Sequence, residues 1–539
     1  MSAGSAAGLT RRAVLGAAAL PLLGCDARTR IDGGFTGTHF ERGHLLRPAE
    51  GSAQARNWPP PAVTRRAQVV IAGGGVAGLA AARALRQRGI EDFVMLELED
   101  GAGGNSRGGA VSGIACPLGA HYLPVPGDDA REVQELLEEL GLRQRVAGRW
   151  TYDERHLCHS PQERVYFEGE WQEGLLPLNG ASEGTLAQVR RFARLVEEAS
   201  KAASFVIPVS KAAPVHAHRS LDAINFEAWL DREGLTDARL RWYLDYCCRD
   251  DYGAGLPTVS AWAGIHYFAS RHGFHAPGEE GAERDAVLTW PEGNGWLAQR
   301  LAAPLGERLR AGRVVLRIAQ DRHGVEIDAF DTATQAVERW QAPQAIVALP
   351  VFVAARVVQA PPAFLTQAAA RTRHAPWVVT NLHLREPLTD RRGAAPSWDN
   401  VVYGGAGLGY VDARHQSLNP APGPTVLTCY CAPGMGTRAD VLRLPWTHWR
   451  DRAIAELVAP HPDLAAKTTR VEVTRYGHAM AVPIPGSRMA APAGAPQDAR
   501  LRYAHSDWAG YSIFEEAFTL GHLAGHGAAA FDKRAAAPA

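Results

Sequence analysis

Gly73-Gly74-Gly75-Val76-Ala77-Gly78, directly after the β-branched run Gln68-Val69-Val70-Ile71-Ala72, is the stretch of this chain best suited to holding a charged ligand. Gly73 permits a tight turn, Gly75 leaves room for a pyrophosphate against the backbone, and Gly78 lets the next helix approach the strand. That helix, Leu79 to Arg88 closed by Gly89, aims its free N-terminal amides and its dipole at the phosphates. The following run Phe93-Val94-Met95-Leu96 delivers Glu97, about 20 residues past the glycines, where a carboxylate accepts hydrogen bonds from ribose hydroxyls and disfavours a 2′-phosphate. Strand, glycine turn, helix, strand and acid together make a dinucleotide cradle.

Other reactive residues lack such context. His156-Leu157-Cys158-His159 and His272-Gly273-Phe274-His275 have no metal-ligand spacing, so no metal is expected. Gly180-Ala181-Ser182-Glu183-Gly184 spells a nucleophile elbow, but Pro177-Leu178-Asn179 before it is not a buried strand, and a helix-entry loop is the reading. Of the seven cysteines, Cys116, Cys158, Cys247, Cys248, Cys429 and Cys431 form no CxxC pair and read as buried thiols.

The chain of 539 residues is 46% hydrophobic, enough for several domains, and its 57 basic side chains balance 57 acidic ones. A nucleic-acid partner is not expected, because displacing counterions from phosphates needs a basic excess. Thr10-Arg11-Arg12 before the apolar run Ala13 to Leu23 reads as an export signal of twin-arginine type, since the run is shorter than the roughly 20 residues a membrane span needs. Leu22-Leu23-Gly24-Cys25 resembles a lipoprotein processing box that would anchor the chain through Cys25. The expectation is a bacterial protein exported to the periplasm, free or membrane-anchored.

Two further motifs specify the cradle. After Glu97 comes Gly101, then Gly103-Gly104-Asn105-Ser106-Arg107-Gly108-Gly109, and near the C-terminus stands Tyr503-Ala504-His505-Ser506-Asp507-Trp508-Ala509-Gly510-Tyr511 before the helix Phe514 to Ala530. Together these resemble the flavin-containing amine oxidase and phytoene desaturase superfamily over about residues 66 to 530. The resemblance implies FAD, with Gly73, Gly75, Gly78, Glu97, Gly104, Asn105 and Arg107 around its phosphates and ribose. It puts the His121 loop beside the isoalloxazine ring, Val315 against the adenine and Asp507 beside the pyrophosphate and ribityl chain. Asn105 stands where the family has an arginine, which Arg107 follows two positions later.

For the reacting end, the resemblance implies that Tyr511 walls the substrate space at the flavin face and that His478 and Met480 lie near a second wall. An ungapped register puts Arg356 where amine oxidases carry a lysine near flavin N5. The only lysines here are Lys201, Lys211, Lys467 and Lys533. Arginine keeps the charge but does not readily lose its proton.

The implied architecture is α/β: a Rossmann-like, doubly wound FAD-binding domain with an inserted α+β substrate domain. Its segments are a signal (1–30), an irregular arm (31–66), cofactor-domain parts at 67–120, 286–352 and 485–532, and substrate-domain parts at 121–285 and 353–484. The implied activity is hydride transfer from a small amine or other reduced substrate to flavin N5, with dioxygen or another electron acceptor. A desaturase or isomerase of an apolar substrate and a non-catalytic flavin-binding partner protein are the alternatives.

Overall fold

The computed structural model describes residues 31–48, 56–271, 273–275, 286–417, 419, 421–490 and 496–535. Thr10-Arg11-Arg12, Cys25 and His272 lie outside the described residues.

Val69–Ala72 is buried throughout, as a continuous apolar run requires when both faces of a parallel strand are covered. It sits inside a six-stranded sheet ordered Leu309–Arg310, Phe93–Leu96, Val69–Ala72, Gln344–Val347, Leu501–Tyr503 and Gln497–Asp498, parallel except for the last pair. Strands from three distant segments thus build one cofactor sheet. The helices from the two ends of the chain, Val76–Gln87 and Phe514–Ala535, pack on each other. Glycines make that approach close: a Cβ on Gly521 would come within 2.0 Å of Ala77 O, and one on Gly525 within 2.5 Å of Ala81 O. A four-stranded sheet of Arg313–Gln320, Val325–Asp331, Ala336–Ala342 and Val63–Arg66 lies beside this domain.

An eight-stranded sheet floors the substrate domain, in the order Asp32–Phe35, Thr468–Ala481, His374–Leu384, Thr425–Cys431, Tyr410–Asp412, Asp399–Val402, Glu163–Phe167 and Glu170–Glu173. The helices Glu183–Ala202, Phe226–Arg232, Ala238–Tyr252 and Ala261–Ala269 share one apolar core with its central strands. Ser182 begins the first of these helices, its Oγ accepting the Thr185 N–H at 3.1 Å, which is a capping role. Two short helices, His216–Asp222 and Phe226–Arg232, follow it in the chain, and Asn225 caps the fresh start of the second by accepting the Ala228 N–H at 2.8 Å.

The arm at 31–66 needs correcting, since it is not irregular throughout. Asp32–Phe35 pairs in parallel with Thr468–Ala481, Asp32 opposite Arg470 and Phe35 opposite Val473. A short helix, Phe40–His44, follows, and the His39 N–H donates to both oxygens of Glu99 at 3.0 and 2.9 Å. Arg42 Nη1 then reaches Leu98 O at 3.0 Å and Asp100 Oδ1 at 2.7 Å. This strap crosses from the substrate sheet to the cofactor domain.

Candidate active site

A cavity of about 430 Å³ runs between the two domains, from the glycine turn to the helices of the insert. At its first end Gly73, Gly75, Gly104 and Glu97 all line the wall. Gly73 has φ +103° and its Cβ would lie 2.3 Å from Ala348 O, so the turn admits no side chain there. Gly78 does not line the cavity; a Cβ on it would fall 2.0 Å from Gly73 O, which makes it the packing glycine of the helix. A Cβ on Gly104 would stand 3.2 Å from Gly75 Cα, so the two glycine clusters meet and keep the cradle open. Glu97 Oε2 accepts the Gly74 N–H at 2.6 Å and Oε1 the Glu99 N–H at 2.9 Å, leaving lone pairs for ribose hydroxyls. Burial raises its pKa, and the two amides work against that.

Beyond the cradle, Asn105, Val315, His121 and Asp507 line the same cavity. Asn105 Nδ2 donates to Ala479 O, joining the second glycine cluster to the substrate sheet. His121 stacks on Tyr430 at 4.2 Å, and burial pushes its pKa down to about 3, so it is neutral at physiological pH. Asp507 Oδ2 accepts the Val351 N–H at 3.0 Å and lies 3.1 Å from His374 Nε2, while Oδ1 is 3.2 Å from His505 Nδ1. Burial opposes its ionisation, but His505 and His374 outweigh burial and hold the carboxyl well below the usual range. It is a fixed anion at the sheet's edge.

Three site expectations are corrected. Tyr511 is 1% exposed and does not line the cavity; it packs against Tyr252, Trp262 and His266 and donates its hydroxyl to Glu516 Oε1 at 2.9 Å. Gly510, at φ +86°, turns the chain so that Tyr511 enters the insert's core and leaves Ser512 and Ile513 on the wall. Arg356 also misses the cavity, its Nη1 donating to Leu46 O at 3.3 Å on the surface. It belongs to the helix Val351–Val357, whose residues Val351, Ala354 and Val357 face the core, and two positions past Ala354 the helix has turned by about 200° to the opposite face. Arg107 is absent from the lining and pairs with Glu99 Oε2 at 3.4 Å. His478 does reach the cavity, stacked on Phe352 at 4.5 Å, and burial followed by Arg438 pushes its pKa down to about 3. Met480 lines the cavity with it.

The far end of the cavity holds charged groups that spacing did not single out. Asp250 and Asp251, at the end of the helix Ala238–Tyr252, face Arg271, Tyr122 and Glu515. Arg271 Nη2 bonds both oxygens of Asp251, at 2.9 and 3.2 Å, and Nη1 donates to Tyr267 O at 2.9 Å. Its charge is therefore taken up within the protein. Asp250 lines the cavity and has the Tyr122 hydroxyl at 3.4 Å from Oδ2; burial and then Asp251 push it up to about 7. Glu515 is 4% exposed, accepts no hydrogen bond from another described residue and is pushed up to about 7 by burial. No group of three or more metal-ligating side chains occurs among the described residues.

The family model for flavin containing amine oxidoreductases matches residues 76–524. The chain belongs to that family. A protein of Mycobacterium tuberculosis named as a flavin-containing monoamine oxidase is 30% identical over 284 residues, 52% of this chain and 56% of that protein. An L-amino acid dehydrogenase of Synechocystis is 27% identical over 299 residues, 54% of this chain and 58% of its own length. The match thus spans little more than half of these relatives. Cyclohexylamine oxidase from Brevibacterium oxydans shares the fold over 88% of this chain and all of its own, with a TM-score of 0.63 at 18% identity. The flavoprotein fold of this family is accordingly the α/β cofactor domain with an inserted substrate domain, and FAD is its cofactor. The cradle fits FAD: it has glycines where phosphates must approach, a carboxylate for the ribose, and an apolar wall at Val315.

Proposed function

We propose that this FAD-dependent oxidoreductase oxidises a small amine, taking a hydride from the carbon beside the nitrogen. The turn Gly73 to Gly78 and the amides of the helix it opens would hold the pyrophosphate, Glu97 the ribose, Val315 the adenine and Asp507 the ribityl region. FAD held there would supply the two-electron acceptor, taking up the hydride with its electron pair, and its reduced form would pass two electrons to dioxygen or another acceptor. The chain's own part is to exclude water, orient the C–H bond and set the charge of the chamber.

That charge carries the reading. Three carboxyl groups, Asp250, Asp251 and Glu515, face one guanidinium, and Arg271 is already bonded to Asp251. An amino-acid substrate would need a free cation for its carboxylate, whereas an amine is met by carboxyls. A wholly apolar substrate, as a desaturase or isomerase would take, would bury these groups without compensation. Anaerobic titration of the yellow holoprotein tests this: primary amines should bleach the flavin band and L-amino acids should not. Bleaching by amino acids alone overturns it.

Export by the twin-arginine signal to the periplasm, with lipid attachment at Cys25, completes the proposal. Its support is Thr10-Arg11-Arg12 and the box Leu22 to Cys25. Fractionation of cells making the full chain, with an Arg11→Lys, Arg12→Lys variant retained in the cytoplasm, is the check.

A further inference from the structure

Resting on the amine reading, the chamber says more about the substrate. The nitrogen that reacts must enter as the free base, because its lone pair forms the C=N bond as the hydride leaves the neighbouring carbon. A protonated amine has no such pair. The reacting nitrogen therefore cannot be the counter-charge for the acids around it.

Asp250 and Glu515 approach the chamber from different domains. Asp250 ends a helix of the insert, and Glu515 lies in the first turn of the C-terminal helix of the cofactor domain. The Asp251–Arg271 pair lies near both, since Asp251 and Arg271 act electrostatically on each of them. Arg271 is closed off by its bonds to Asp251 and Tyr267 O. Glu515 is nearly enclosed yet faces the cavity without a hydrogen bond from any other described residue, and Asp250 has only the long contact from Tyr122. Its neighbour Glu516 is turned elsewhere: its Oε1 accepts the Tyr511 hydroxyl and the Val209 N–H at 2.9 and 2.6 Å. Two carboxyls are thus left open toward the same space, and no cationic side chain among the described residues bonds either of them.

We propose that Asp250, together with Glu515, forms a subsite for a second, non-reacting ammonium, so that the preferred substrate is a diamine or longer polyamine rather than a monoamine. The non-reacting nitrogen stays protonated through hydride transfer and supplies the missing counter-charge. Asp250 is a specificity residue in this scheme: it binds the end of the substrate that does not change.

The holoprotein, mixed anaerobically with diaminobutane or with butylamine, gives the rate of flavin bleaching and the dissociation constant for each. A charge-assisted hydrogen bond predicts that diaminobutane binds about 10- to 100-fold more tightly than butylamine. In Asp250→Asn that ratio should fall toward one, the loss lying in the binding of the diamine. Glu515→Gln gives a second reading of the ratio should the first variant fail to hold FAD. Equal affinity for the two amines in the wild-type protein overturns the subsite and leaves the amine reading standing. If neither amine bleaches the band, the amine reading falls and takes the subsite with it.

Discussion

Asp250→Asn should make the substrate-free holoprotein more stable at pH 8, and by a clearly smaller margin at pH 5. The folded protein raises this carboxyl from 3.8 to about 7. A carboxyl with a raised folded pKa contributes its full share of stability below its ordinary value, and loses it as pH climbs through the folded one. The shift of about 3 units, at about 1.4 kcal/mol per unit, sets a ceiling of about 4 kcal/mol at pH 8. Water in the cavity screens part of that, so about 2 kcal/mol is expected. For a chain of this size, with an unfolding entropy of about 2 cal/mol/K per residue, 2 kcal/mol corresponds to about 2 °C in Tm. The groups facing Asp250 set the sharpness of the transition: Asp251, Arg249, Cys247 and Tyr246 on its own helix, and Arg271, Tyr122, Asp399 and Tyr430 across from it. Scanning calorimetry of both proteins at pH 5 and pH 8 reads the difference directly. If the variant is the less stable one at pH 8, Asp250 is a satisfied anion, and the idea that it waits for a cation is refuted.

Other expectations follow from the geometry. Gly78→Val puts a side chain onto Gly73 O, 2.0 Å from where its Cβ must lie, and should yield protein that purifies without flavin absorbance. Tyr511→Phe removes the hydroxyl that Glu516 accepts, costing about 1–3 kcal/mol in denaturant unfolding while flavin reduction stays within about threefold; a collapse in reduction rate would restore Tyr511 to the substrate wall. Arg356→Ala removes only a surface contact to Leu46 O, so flavin spectrum and reduction rate should match wild type, and a changed reoxidation rate would place that arginine at the ring after all. The preference for diaminobutane over butylamine should weaken as pH falls from 8.5 to 5.5, because Asp250 takes up its proton near 7; a flat profile contradicts an ionisable subsite.

The cofactor end of the site was legible because its constraints are local. Gly73 needs a positive φ and Gly78 needs an absent side chain whatever the rest of the chain does, so residue type and spacing carry the message. The substrate end is assembled by tertiary packing. Asp250-Asp251 is an ordinary acidic pair on a helix, and Glu515-Glu516 looks like first-turn acid at a helix N-terminus; which member faces the cavity depends on how the helices are turned. Tyr511 was misplaced for a related reason. Its motif is local, but the left-handed turn at Gly510 decides which of Tyr511 and Ile513 meets the cavity. The strand Asp32–Phe35 escaped notice because two of its four residues are glycine and it pairs along one edge only, so it shows no apolar alternation.

That strand couples the two ends of biosynthesis. It can dock only when Thr468–Ala481 exists, more than 430 residues later. The strap it begins runs on to Leu46, which closes the cavity next to Leu98 and Val315. The earliest described residues to leave the ribosome are thus among the last to find their place, and the cofactor is shut in only after nearly the whole polypeptide has been made. Threading such a chain through a membrane as an unfolded string would postpone enclosure to a compartment where FAD must be found anew. Under the proposed export, a chain carried across already closed would deliver its flavin with it.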